Sequence, residues 1–378
     1  TNMLSLFGSV SGIFKSRAGK IRVDSSVFKL HYRATVAILV GSCIMITAGQ
    51  FIGDPIHCLT DKLDLNQYEK AVNTYCWISS TFSMPEDYDK EVGVEVPFPG
   101  VGPWTPGQPK KHHAYYQWVP FVLFLQAIMF YIPHWLWKCF EGGRLQVIIL
   151  GLNAKMLKED EELEKLKTLA RYLKENINMH NLWFMKYMLC EVLLFVNVVW
   201  NIFFTDIFLG HEFSEFGIEA LKYLDMDQED RLDPLTRVFP RVTKCTFYLY
   251  GPSGTIQQQD TMCILAWNIL NEKVYTFLWF WFVILSVITA WQLLYRLASV
   301  LFKPLRVRML KGLGRARDPR HFSTIVDNCN VGDWFLVCHL GKHMDPVYYA
   351  DFITVFSKAL DKENIENLEM RKVREVKA

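Results

Sequence analysis

Four of the nine cysteines stand in two widely separated pairs with the same spacing. Cys58 and Cys76 are eighteen positions apart, and so are Cys245 and Cys263. Such thiols could form disulfides or bind zinc. No C-x-x-C pair occurs and no cluster of histidines stands beside these cysteines, so a zinc site is disfavoured and no metal is expected. Four cysteines allow three disulfide connectivities, and their spacing does not choose among them.

Three other features could carry chemistry. The adjacent His112 and His113 could bind a metal or sense pH, although an exposed loop is the simpler interpretation. Glu191 lies inside an apolar run, with Asn197 and Asn201 one helical turn apart further along. An intramembrane carboxylate is by default a functional hypothesis. Hydrogen bonding between helices explains a lone acid and two asparagines better, so structural roles are favoured.

Catalytic motifs are absent from the chain. There is no phosphate-binding glycine loop, no H-E-x-x-H and no G-x-S-x-G. We therefore expect no enzymatic activity, no catalytic residue and no cofactor. The basic C-terminal stretch begins beside an apolar run, so it is expected to face membrane lipids or solvent rather than nucleic acid.

Four apolar runs, each about as long as a bilayer core requires, determine the fold class. Backbone polar groups must be satisfied inside a bilayer, so each run should be helical. The sequence predicts an all-α membrane protein with four transmembrane helices. The predicted organisation is an N-terminal segment (1–33), a first span (34–52), outer loop 1 (53–114), a second span (115–138), an inner loop (139–181), a third span (182–209), outer loop 2 (210–273), a fourth span (274–297) and a C-terminal helical region (298–378).

Charge alternates between the segments that separate the spans. Residues 1–33 carry six basic side chains against one acidic, and 296–378 carry fifteen against ten. Residues 53–115 carry five basic side chains against nine acidic ones, and residues 210–273 carry six basic against ten acidic. Basic segments stay in the cytoplasm, so both termini are predicted to be cytoplasmic. The two acidic loops then face outward, where disulfides persist, and they contain the paired cysteines. No secretory signal peptide is expected, and the first span should act as its own insertion signal.

Local patterns predict structure between the spans. The leucines of the inner loop recur with helical spacing, which indicates an amphipathic helix. Residues 237–254 of outer loop 2 alternate β-branched or aromatic residues with polar ones and end in a Gly-Pro turn, which favours a short strand. In the first span, Thr35, Ser42 and Gly49 recur every seven residues, with Gln50 beside them. Such a face could line a water-filled path or allow another helix to approach closely, and spacing alone does not decide.

Several motifs resemble those of the innexins, the invertebrate gap-junction proteins, and insect-type innexins above all. The segment "YYQWV" at the start of the second span matches the best-known signature of that family. The resemblance continues through "FIGDPIHC", "NTYCWI", "FPRVTKC", "LNEKVYTFLWFWF" and "GDWFLV". It covers nearly the whole chain and includes two cysteines in each outer loop.

The resemblance implies a plasma-membrane channel subunit at cell-cell junctions. Family members form rings, generally of eight subunits and possibly of mixed innexins, that dock with a ring in the adjacent cell and pass ions and small molecules. It implies the disulfides Cys58–Cys263 and Cys76–Cys245, and a pore lined by the N-terminal segment and the first span. The pore candidates are Met3, Leu4, Phe7, Thr35, Ser42, Gly49 and Gln50.

The signature residues of the second span are Tyr115, Tyr116, Gln117, Trp118 and Val119. Pro120 and Pro133 are expected to kink this span, near its outer and inner ends respectively. Two other functions stay open: an undocked hemichannel that releases solutes, and a non-conducting four-span adhesion or scaffold protein.

Overall fold

The computed structural model describes residues 23–60, 69–103, 107–150, 159–224, 235–314 and 318–377. Within these ranges, the helices in chain order are α1 (Ser26–Ile52), α2 (Glu69–Ser79), α3 (Val119–Glu141), α4 (Arg144–Leu150), α5 (Glu159–Glu175), α6 (Asn181–Phe208), α7 (Phe213–Leu224), α8 (Leu235–Val238), α9 (Asn268–Leu301), α10 (Lys303–Leu313), α11 (Arg320–Asn328), α12 (Val331–His343) and α13 (Pro346–Lys377). The strands are β1 (His57–Cys58), β2 (Thr81–Ser83), β3 (Lys111–His113), β4 (Val242–Tyr250) and β5 (Ile256–Ile264).

Four of these helices, α1, α3, α6 and α9, are long and apolar enough to cross a membrane. They correspond in number and order to the four predicted spans, which confirms the fold class. Two of them extend well beyond the apolar run: α1 begins at Ser26 and α9 at Asn268. Helices continue past the hydrocarbon where polar groups support them; the amide of Asn268, for example, donates a 2.8 Å hydrogen bond to the Pro240 carbonyl. The span limits themselves stay predictions.

The described chain divides into two compact units. Residues 29–132 and 193–290 form the loop-bearing unit, and the remainder forms the C-terminal unit. In the loop-bearing unit, side chains from all four spans meet in one apolar core, which includes Leu39, Leu123, Val198 and Phe282. Close packing of these side chains helps to hold the four helices of this unit together.

A five-stranded antiparallel sheet joins the two outer loops within the loop-bearing unit. The strand order is β1-β5-β4-β2-β3, so strands of the first loop flank the β4–β5 hairpin of the second. The predicted strand in outer loop 2 is β4, which pairs with β5 along its whole length, from Val242 opposite Ile264 to Tyr250 opposite Ile256. The sheet therefore depends on both loops.

The described residues of the C-terminal unit form helices. The amphipathic pattern of the inner loop corresponds to α5, where Leu166, Leu169 and Leu173 are buried. Helix α5 packs against α13, and α13 packs against α11. At the start of α6, the Asp333 carboxylate of α12 accepts hydrogen bonds from the Asn178 backbone amide and from Nδ1 of His180.

Glu191 is paired within this unit. Its carboxylate accepts two 3.1 Å hydrogen bonds from Nε and Nη2 of Arg296, which lies on α9. Both side chains are almost completely buried. The guanidinium also lies over the rings of Tyr187 and Phe335. Glu191 therefore connects two spans, which is the structural role favoured for it.

We predict that Arg296→Leu destabilises the protein by about 3–5 kcal/mol, because it leaves the Glu191 carboxylate buried without its partner. The double variant Glu191→Leu with Arg296→Leu should recover much of that loss, since no buried charge remains. Unfolding temperatures in detergent measure both. Lys358→Leu, which also replaces a cation with leucine but at an exposed position, is the control. If the single and the double variant lower the unfolding temperature by the same amount, this account of the Glu191–Arg296 pair is contradicted.

Candidate functional site

Two disulfide bonds join the outer loops. Cys58 on β1 lies directly opposite Cys263 on β5, and the two are bonded. Cys76, on the helix α2, is bonded to Cys245 on β4. The bridges close separations of 205 and 169 residues, so each ties the first loop to the second rather than closing a loop on itself. These two pairings are the same as the pairings that the family resemblance implies.

The bridges lie in a small apolar core outside the spans. All four half-cystines are buried, together with Ile56, Val72, Tyr116 and Leu265. The sulfur atoms of Cys58, Cys76 and Cys263 lie within 4.8 Å of one another, so the two disulfides are neighbours. Because these sulfurs are bonded to sulfur, the cluster holds loops together and offers no thiolates to a metal.

The two adjacent histidines have different environments because they alternate on β3. His112 is exposed, whereas His113 is buried and forms a 2.7 Å hydrogen bond through Nε2 with the Ser83 hydroxyl. The Tyr88 hydroxyl donates to the same Ser83 oxygen. Burial, with the Lys111 charge nearby, lowers the pKa of His113 to about 3. His113 is therefore a neutral structural residue at physiological pH, and not a pH sensor.

The signature segment attaches the disulfide-bonded layer to the spans. The Tyr116 ring lies 4.5 Å from the Trp77 ring of α2, and the Gln117 side chain donates to the Trp77 carbonyl. From the first span, the Gln50 amide donates a 2.9 Å hydrogen bond to the Tyr116 carbonyl. Tyr116 and Gln117 thereby connect the helix that carries Cys76 to the outer ends of two spans.

The remaining signature residues have separate places. Tyr115 packs edge-on against Phe239, Trp118 is exposed, and Val119 is buried in the core of the four spans. The expected kink at Pro120 is wrong. Helix α3 begins at Val119, so Pro120 occupies its first turn, where no backbone N–H is needed. Pro133 does lie inside the helix.

The predicted pore face of the first span is turned into the subunit. Thr35, Ser42 and Gly49 are all buried. The Thr35 hydroxyl accepts a 2.9 Å hydrogen bond from Nε1 of Trp281 on the fourth span, and a Cβ at Gly49 would lie 2.6 Å from the Trp267 ring. This stripe allows another helix to approach closely, so its assignment to the pore is corrected. Gln50 is likewise engaged with the Tyr116 carbonyl.

The opposite side of the first span is open. Ile44 and Met45 are exposed, and a Cβ added at Gly41 would meet no atom within 4 Å. The other pore candidates, Met3, Leu4 and Phe7, lie outside the described residues.

Trp267, Trp281 and Arg296 are the important residues that the sequence did not single out. Their types are visible in the chain, but nothing in their spacing identifies Gly49, Thr35 and Glu191 as their partners.

Comparison with known proteins shows the same family along nearly the whole chain. The family model described as Innexin matches residues 24–360. Innexin inx2 of Schistocerca americana is 44% identical over 364 residues, which are 96% of this chain and 100% of the relative. Innexin inx2 of Drosophila melanogaster is 44% identical over 95% of this chain and 96% of its own. Innexin shaking-B of the same fly is 42% identical over 93% of each.

We predict that the double variant Cys58→Ser with Cys263→Ser lowers the free energy of unfolding by about 2–5 kcal/mol, the usual effect of removing a native disulfide. It should also open the outer loops to limited proteolysis, because β1 pairs with β5 at only two positions. Cys139→Ser, at an exposed free thiol, is the control. Unchanged proteolysis in the double variant would show that the sheet holds without its bridge.

Proposed function

The chain belongs to the innexin family, and from that premise we propose that eight copies form a ring whose disulfide-joined outer loops dock with a ring in the adjacent cell. The protein is a gap-junction channel subunit of the plasma membrane and not an enzyme. The number eight, and the inclusion of other innexins in the ring, rest on the family resemblance. The observation that supports docking is the rigid outer sheet, which both loops build and two disulfides hold.

Passive diffusion is the mode of transport that we propose. A proton or ion relay through the membrane uses a chain of ionisable groups along a path. Glu191, the candidate for such a role, is held by Arg296 in a buried pair. The chain thus supplies a conduit whose selectivity comes from the pore wall.

The tip of the β4–β5 hairpin is the docking surface that we propose. Residues 246–259 carry no charged side chain, although acidic residues outnumber basic ones by four in each outer loop. Tyr250 and Ile256 are opposite each other at the tip, and their side chains are 80% and 64% exposed. Docking brings identical rings face to face, so an acidic contact surface would repel its own copy. A neutral, aromatic tip avoids that repulsion.

The hairpin is also free to meet a partner. In the described part of the chain, β2 pairs with β4 only at Lys244, and β1 pairs with β5 only at Cys263 and Ile264. The distal half of the hairpin is therefore a two-stranded ribbon with open edges. Such a ribbon offers both side chains and backbone groups to an opposing copy.

A charge placed at Tyr250 tests this surface. We expect Tyr250→Asp in both cells of a pair to abolish junctional conductance, because identical charges then face each other, and Tyr250→Phe to preserve it. Pairing a Tyr250→Asp cell with a Tyr250→Lys cell should restore coupling, since opposite charges attract across the junction.

Hemichannel currents in single cells report whether each variant still forms channels. Lost coupling in every charged pairing, with hemichannel currents retained, would assign Tyr250 a role other than direct contact. Hemichannel currents without coupling in the unmodified protein would favour the undocked alternative.

We further propose that the open side of the first span lines the pore, with the N-terminal segment and its Met3, Leu4 and Phe7 at the mouth. The other three spans expose large aromatic side chains suited to lipid, among them Trp135, Trp200 and Trp291. The first span instead presents Gly41, where an added Cβ would meet no atom within 4 Å, beside the aliphatic Ile44 and Met45.

Cysteine accessibility separates the two sides of this helix. In a Cys43→Ala background, Gly41→Cys should react with a charged thiol reagent and lose conductance severalfold, because the added group narrows the pore. Ser42→Cys, one residue away but buried, should be unaffected. If the reagent lowers the conductance of Ser42→Cys but not that of Gly41→Cys, the pore is lined by the face that carries Thr35, Ser42 and Gly49.

A further inference from the structure

Helix α10 (Lys303–Leu313) follows the fourth span after a single residue and is strongly basic. It contains Lys303, Arg306, Arg308 and Lys311 and no acidic residue. Channel formation and docking as proposed above do not use this helix. Its composition and its position beside the membrane raise the question of what it binds.

The depth of α10 follows from the aromatic residues before it. Trp291 and Tyr295, one helical turn apart on α9, are 72% and 40% exposed, as expected of side chains at the membrane interface. Helix α9 ends at Leu301, six residues after Tyr295, or about 9 Å further along the axis. Each headgroup layer is about 5–8 Å thick. Helix α10 therefore starts at or just beyond the cytoplasmic edge of the headgroup layer.

The bend between the two helices keeps α10 near that level. Phe302, the residue between them, has an extended backbone and a side chain that is 60% exposed. An exposed phenylalanine at the interface is stabilised by contact with lipid. Helix α10 has only eleven residues, so its cations stay within one to two Debye lengths of the surface.

One side of α10 is fixed to the C-terminal unit and the other is open. Arg306 and Leu310 are buried, and Nε1 of Trp334 donates to the Arg306 carbonyl. Arg308 and Lys311, three residues apart, are exposed on the opposite side. Lys303 is also exposed; its 3.3 Å ion pair with Asp327 is itself exposed and holds it only weakly. The packing thus turns Arg308 and Lys311 away from the protein, and Lys303 stays exposed at the start of the helix.

We propose that Lys303, Arg308 and Lys311 form a binding face for the headgroups of anionic phospholipids in the inner leaflet. The positive charge of this face complements the negative potential of the cytoplasmic leaflet, and its continuity with the fourth span places it there without any further movement. The shared chemistry of the ligand is a lipid phosphate, and headgroups with several phosphates should bind most tightly.

The test uses purified channel protein in detergent and fluorescent, short-chain phosphatidylinositol bisphosphate, with binding followed by anisotropy. Each cation beside such a surface strengthens binding about fivefold. The triple variant Lys303→Gln, Arg308→Gln, Lys311→Gln should therefore bind at least tenfold more weakly, and its affinity should depend less on salt. The matched control, Lys165→Gln, Lys167→Gln, Arg171→Gln on α5, removes three charges from another helix and should bind normally.

Three outcomes would overturn the proposal. Equal weakening in the control would show a response to net charge alone. Dissociation of the ring in the α10 variant, with or without lipid, would make this face a contact between subunits. Soluble inositol trisphosphate that binds as tightly as the lipid would assign the face to free phosphates. Because binding is measured on undocked protein, failure of the docking proposal would leave this result unchanged.

Discussion

The covalent connection between the two outer loops is the constraint on which the outer half of the molecule depends. Where the structure describes the first loop, its strands have two or three residues and make too few hydrogen bonds to hold a sheet by themselves. Cys58–Cys263 and Cys76–Cys245 supply what these strands lack. Through Trp77, the same layer holds Tyr116 and Gln117 at the start of the second span. Loop geometry and helix position are thereby coupled.

Within the membrane, a different interaction decides which faces meet. Lipid is as apolar as leucine, so helices gain little from apolar burial alone and associate through close packing and hydrogen bonds. The first span meets the fourth through His31 with Thr289 and Thr35 with Trp281. This requirement explains why the weakly polar stripe of the first span points inward. The open side is left for the proposed pore.

Much of the architecture could be predicted from the sequence because its signals are local. Apolar run length, charge alternation and cysteine placement indicated four spans, two outward loops and a disulfide-bonded outer layer. The alternation in outer loop 2 and the leucine spacing of the inner loop correspond to β4 and α5. Pro120 could not be placed correctly, because an apolar run shows where a bilayer could begin and not where helical hydrogen bonding starts.

The sequence by itself determined the number and kind of elements, since hydropathy, charge and turn chemistry act over a few residues. The tertiary structure alone decided which partners those elements have. A seven-residue repeat of Thr35, Ser42 and Gly49 is the same pattern whether water or a helix lies against it. Only the positions of Trp281 and Trp267, more than two hundred residues away, show that a helix does. Contacts between distant residues depend on packing in three dimensions, for which a single sequence carries no local signal.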